Sequence, residues 1–126
     1  MLLSSGDNFL AGPEFNASVD LGTWFDPIAL EAFGYDAVAL GNHDFDFGPD
    51  RFADFVGDLV NSQVPFLSAN LDFSNETAEL QGLVASGRIA TWTVRARSAA
   101  LIPVVTLVGL RFIFLLSGSV VIESIY

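Results

Sequence analysis

The sequence predicts an α/β fold: a parallel β-α-β-α-β core followed by an apolar C-terminal segment. Three observations predict it. Two stretches carry apolar residues at helical spacing, short apolar runs bounded by turn residues alternate with them, and composition changes near residue 80. Strands alternating with helices of this length imply right-handed crossovers and a parallel sheet covered by helices.

The elements follow in order. Leu2 to Ser5 reads as the end of a short strand running into Gly6-Asp7. A loop containing Gly12-Pro13 comes next. Phe25, Ile28, Ala29, Ala32 and Phe33 then recur at i, i+3, i+4, i+7 and i+8, one face of a helix, with Gly34 placed as its C-terminal cap. Ala37 to Leu40 is an apolar run that fits a buried strand and delivers the chain to Gly41-Asn42-His43-Asp44. Pro49 suits a first helical turn, and Phe52, Phe55, Val56, Leu59 and Val60 repeat the helical spacing. Pro65 to Leu71 reads as a third short strand.

Of 15 acidic residues, all but Glu123 lie at or before Glu79, whereas four of the five Arg lie beyond residue 80. Two parts are therefore expected, 1–80 and 81–126. With 126 residues and 52% hydrophobic content the chain is long enough for one domain with a core and is not of disordered composition. A net charge of −10 without a single Lys argues against contact with a phosphate backbone, so nucleic acid is not an expected partner. The absence of Cys removes disulfides, thiolate ligands and cysteine nucleophiles and leaves the redox compartment open. Met1 to Ser5 has no basic region ahead of an apolar one, so it does not read as a signal peptide.

In parallel sheets chemistry collects at the carboxyl ends of the strands. Asp7, Asn42, His43 and Asn70 all end or follow an expected strand, which should bring them to one edge. A carboxylate, an amide oxygen and an imidazole suit Zn, Mn, Mg or Fe(II). A carboxylate can bridge two such ions about 3.5–4 Å apart, a pair that clamps the oxygens of a phosphoryl displacement. Asp7 is the candidate bridge. A calcium loop starting at Asp44 fails, because Pro49 stands where glycine is needed and Phe55 where glutamate is. Asn16-Ala17-Ser18 and Asn75-Glu76-Thr77 fit the short glycosylation pattern and carry little weight. Asn70 reads as a strand-end turn residue rather than a ligand.

Ser5-Gly6-Asp7-Asn8-Phe9 and the run Gly41-Asn42-His43-Asp44-Phe45-Asp46-Phe47-Gly48 resemble the calcineurin-like metallophosphoesterases, in particular their 5'-nucleotidase branch, over roughly residues 2–80. The resemblance implies a partial metallophosphoesterase sandwich and hydrolysis of a nucleotide or other phosphomonoester. It also implies two divalent ions, with Asp7 bridging them and Asn42 binding one. His43 then faces the substrate phosphate, and Asp46 orients its imidazole. The family's location implies a periplasmic or extracellular setting. Its Asp-x-His motif, a later His and its terminal Gly-His-x-His are not in these 126 residues, so the two ions would be incompletely liganded. Met1 falls where a strand is under way, and the expectation is a fragment, inactive by itself. The alternatives are an inactive remnant and a membrane-attached interaction module.

From about Ser98 to Ile122 nearly every residue is apolar. Residues 99–122 are long enough to span a bilayer, but Pro103 and Arg111 near the centre would be costly there. Two buried strands, Ile102 to Leu110 and Phe112 to Ile122, are the first expectation for this segment. A membrane anchor and a frame-shifted end are the others. Oligomeric state is not legible.

Overall fold

The computed structural model describes residues 1–97, 100–107, 110–115 and 121–123. Four short strands, β1 (Leu3–Ser4), β2 (Ala37–Ala39), β3 (Phe66–Leu67) and β4 (Ile89–Ala90), form a parallel sheet in sequence order. Leu3 aligns with Ala37, Val38 with Phe66, and Phe66 with Ile89. Four helices connect them: α1 (Pro13–Leu21) and α2 (Phe25–Phe33) between β1 and β2, α3 (Pro49–Gly57) between β2 and β3, and α4 (Ala78–Ala85) between β3 and β4. The sheet thus runs on past the composition break near residue 80.

The helices begin and end where local chemistry directs. Pro13 and Pro49 occupy first-turn positions, where the missing N–H has no partner to lose. Gly22 and Gly34 close α1 and α2 in the left-handed region, at φ 62° and 66°. Thr77 caps α4 by accepting the Leu80 N–H.

The strand period of two sorts β2 between two cores. Val38 and Leu40 join the helix layer, where Phe52, Phe55, Val56, Leu59, Phe66 and Leu80 are all fully buried. Each of these Phe side chains contributes roughly 2–3 kcal/mol by leaving water. Phe66 meets Phe52 and Phe55 edge-on, at 5.7 and 6.1 Å between ring centroids. On the other sheet face Ala37 and Leu67 pack against Val104.

Val104 lies in a second, antiparallel sheet of β5 (Trp92–Arg97), β6 (Ala100–Leu107), β7 (Leu110–Leu115) and β8 (Val121–Glu123). The expected strands Ile102 to Leu110 and Phe112 to Ile122 overlap β6, β7 and β8. Their residues 108, 109 and 116–120 lie outside the described ones, as does residue 99 at the start of the 99–122 segment. Among the described residues no helix is long and apolar enough to cross a membrane.

Two local expectations are corrected. The loop at Gly12-Pro13 is the start of α1, whose Phe15 stacks on Phe47 at 3.8 Å between centroids and meets Trp24 edge-on. Helix α2 forms where expected but turns another face inward: Pro27 and Leu30 are buried, while Ile28 and Phe33 are 57% and 66% exposed. Glu31 on α2 accepts the Asn61 backbone N–H and side-chain amide, at 2.7 and 3.0 Å. These bonds tie α2 to the segment after α3 by a polar contact that apolar spacing does not register.

Candidate active site at the rim of the parallel sheet

Parallel pairing of β1 with β2 brings their carboxyl ends side by side, so the Gly6-Asp7 turn lies against the Gly41-Asn42-His43 turn. The approach leaves no room for side chains. A Cβ on Gly6 would lie 2.7 Å from the Gly41 nitrogen and 2.9 Å from its Cα, and a Cβ on Gly41 would run into the Asp7 carboxylate and amide. Gly6 sits at φ 98°, and Asp7 at φ 55° is the one non-glycine residue with positive φ among the described residues. For an L residue that conformation costs on the order of 1–2 kcal/mol.

The backbone N–H of His43 donates to Asp7 Oδ1 at 3.0 Å, joining the two turns directly. His43 Nδ1 donates to Asp46 Oδ2 at 2.7 Å, since a carboxylate can only accept. Both side chains are close to half exposed, 47% and 41%. Asn42 is exposed and stands directly before the 3-10 turn His43–Phe45. Asp7, Asn42, His43 and Asp46 therefore occupy one stretch of rim. Asn70 follows β3 on the same rim, where its Oδ1 accepts the Ser68 hydroxyl at 3.1 Å. A depression of about 220 Å³ opens beside Asp7, walled by Ser4, Gly6, Asn8 and, from α2, Asp26 and Phe33.

Asp44 is the residue whose part sequence reasoning missed, having given it no role beyond its place in the Gly41–Gly48 run and the first position of a calcium loop that fails. It is fully buried. Its Oδ1 accepts the Asn8 backbone N–H at 2.6 Å, and its Oδ2 accepts the Asn8 side-chain amide at 2.9 Å and the Gly41 N–H at 2.8 Å. Burial pushes its carboxyl up to about 6, against the three N–H donors that favour the charged form; the nearby Asp7 charge adds to the rise. Asn8 extends the contact, donating to the Ala39 carbonyl at 3.1 Å and accepting the Ser4 hydroxyl at 2.7 Å. The available signal was the position of Asp44 inside the Gly41–Gly48 run, paired with an Asn directly after Asp7.

The oxygen donors of Asp7 and Asn42 are of the kind that hard divalent cations take. Two such donors fall short of the four to six that a bound ion collects, and among the described residues no group of three or more His, Asp or Glu could hold a metal. The residues present do not by themselves complete a metal centre.

No family model matches the chain. A trifunctional nucleotide phosphoesterase of Bacillus subtilis (strain 168) is 35% identical over 91 residues, 60% of this chain and 6% of that protein. A 5'-nucleotidase of Diplobatis ommata is 51% identical over 43 residues, 34% of this chain and 7% of that enzyme. Among solved structures, a 5'-nucleotidase precursor from Thermus thermophilus superposes with a TM-score of 0.66 at 32% identity, covering 84% of this chain and 18% of that one. The chain thus spans less than a fifth of the length of each of these relatives. In sequence and in fold, the proteins this chain is similar to are 5'-nucleotidases and related nucleotide phosphoesterases, hydrolases of the calcineurin-like metallophosphoesterase superfamily, matched over part of the chain.

Proposed function

We propose that this chain carries part of the active site of a metal-dependent phosphoric monoester hydrolase of the 5'-nucleotidase type, within residues 1–80. The observation that carries the reading is the Asp7–His43 contact at the sheet rim, which joins the turns after two adjacent parallel strands. Asp7 and Asn42 are the residues assigned to divalent ions, and the remaining donors must come from outside these 126 residues. Metal identity is left to Zn, Mn, Mg or Fe.

The work assigned to the chain's own side chains is done by His43 and Asp46. With Nδ1 donating to Asp46, a phosphate would meet Nε2. A carboxylate on Nδ1 fixes the tautomer and favours the charged ring, which can stabilise phosphate oxygens or give a proton to the leaving oxygen. The substrate class, a nucleotide or other phosphomonoester, and a periplasmic or extracellular location rest on the family likeness alone.

The shortage of donors favours a second reading, a folded remnant without activity. Purified chain incubated with AMP and Mn²⁺ or Zn²⁺ separates the two. Phosphate release that disappears in His43→Ala supports the hydrolase, and no release above the metal-only blank, with or without added chain segments supplying the missing ligands, supports the remnant.

A further inference from the structure

We propose that Asp44 and Asn8 are positioning residues: a hydrogen-bonded clamp, centred on the buried Asp44 carboxylate, that sets the spacing between the Asp7 turn and the Asn42–His43 turn. The inference rests on the reading proposed above for what those turns do, but its geometry stands apart from it. Asn8 is half-buried and borders the depression beside Asp7, and of the two only Asp44 is fully enclosed. Asp44 is fully buried, whereas Asn42 and His43 just before it in the same short turn are exposed.

The clamp draws on both turns at once. From the β1 side come the Asn8 N–H and the Asn8 amide, and from the β2 side comes the Gly41 N–H, all onto one carboxylate at 2.6–2.9 Å. Asn8 is itself held on two further sides, by the Ser4 hydroxyl in β1 and the Ala39 carbonyl in β2. Each partner is thus one residue from a rim group: Asn8 beside Asp7, Gly41 beside Asn42. A charged acceptor taking several N–H bonds makes them short and directional, so the two backbones cannot drift apart without breaking the set. The direct Asp7–His43 bond alone would be a weak link between exposed groups. Backbone geometry held from beneath is what allows Asp7 to keep its positive φ and stay within 3.0 Å of the His43 N–H.

Such outer residues commonly change metal affinity by about 10–100-fold without touching the ion. The test uses the full 15N-labelled chain and the variants Asp44→Asn, Asn8→Ala and the double variant. Ser68→Ala serves as a control that removes a buried polar group elsewhere on the rim. Amide exchange and the His43 amide resonance are followed beside thermal melting. In Asp44→Asn the His43 resonance should move, and its exchange should rise about tenfold more than that of Val38 and Phe66 in the sheet, while Ser68→Ala leaves it in place. Asn8→Ala should give the same pattern, and the double variant should add little, because both remove one clamp. If Asp44→Asn does not fold, Asn8→Ala carries the test alone.

Exchange at His43 that rises only in step with the sheet amides, or effects of the two variants that add, would overturn the clamp. Mn²⁺ titration of the same samples separates this from the functional reading. Wild-type affinity that falls about tenfold or more in Asp44→Asn supports both. Wild type that binds no Mn²⁺ at its rim counts against the function, and the exchange pattern then decides the clamp on its own.

Discussion

Removing the Asp44 carboxyl should alter how the stability of this protein depends on pH, in a direction the structure fixes. Burial raises this carboxyl from 3.8 to about 6 in the folded chain. In the unfolded chain it returns to about 3.9. The folded state therefore holds the proton more tightly, and the contribution to stability is fully present below about pH 4 and lost as the pH rises through about 6. A shift of about two units is worth roughly 3 kcal/mol between those limits, at about 1.4 kcal/mol per unit. Urea unfolding of wild type and Asp44→Asn across about pH 4 to 7.5 measures it, because acids distant from Asp44 titrate alike in both and cancel in the difference. Wild-type stability minus variant stability should fall by up to about 3 kcal/mol across the window and level off above about pH 7. A difference flat to within about 0.5 kcal/mol, or one that grows with pH, would refute the account of how this carboxyl is buried.

Two further outcomes follow from neighbouring contacts. Gly41→Ala places a methyl where the Asp7 carboxylate and amide already lie, so urea unfolding should show a loss of about 1–3 kcal/mol and the His43 amide resonance should move as its bond to Asp7 breaks. Arg88 donates to the Val56 carbonyl at 3.1 Å and the Leu59 carbonyl at 3.5 Å, closing the carboxyl end of α3; Arg88→Ala should cost about 2 kcal/mol, with Arg88→Lys recovering little because one ammonium cannot reproduce the planar fork. Thermal melting of the three chains checks the ranking.

What could be read in advance was what neighbouring residues decide among themselves. Gly34 ends α2 and Pro49 opens α3 because a left-handed cap and a donor-free first turn are local needs. The order of strands and helices then sufficed to send Asp7 and His43 to the same rim, where the structure holds them in contact. Contacts distant in sequence were not legible. Phe15 anchors α1 to the core because Phe9, Trp24 and Phe47 come to meet it. The rotation of α2, which buries Pro27 and Leu30 and leaves Glu31 within reach of Asn61, is not announced by the spacing of Ile28 and Phe33. Asp44 belongs to the same class. Its burial depends on Asn8, 36 residues earlier in the chain, and a carboxylate inside a polar motif reads as a surface group until that partner is known.

The central claim is that the turns after β1 and β2 make a single cation- and phosphate-facing rim. Paramagnetic broadening by substoichiometric Mn²⁺, read residue by residue on the labelled chain, tests it most directly. Broadening centred on residues 6–8 and 41–43 and sparing α3 and α4 is the expected result, with inorganic phosphate then shifting His43. Broadening spread over the acidic surface, with Asp50, Asp54 and Glu79 affected as strongly as Asp7, would contradict it.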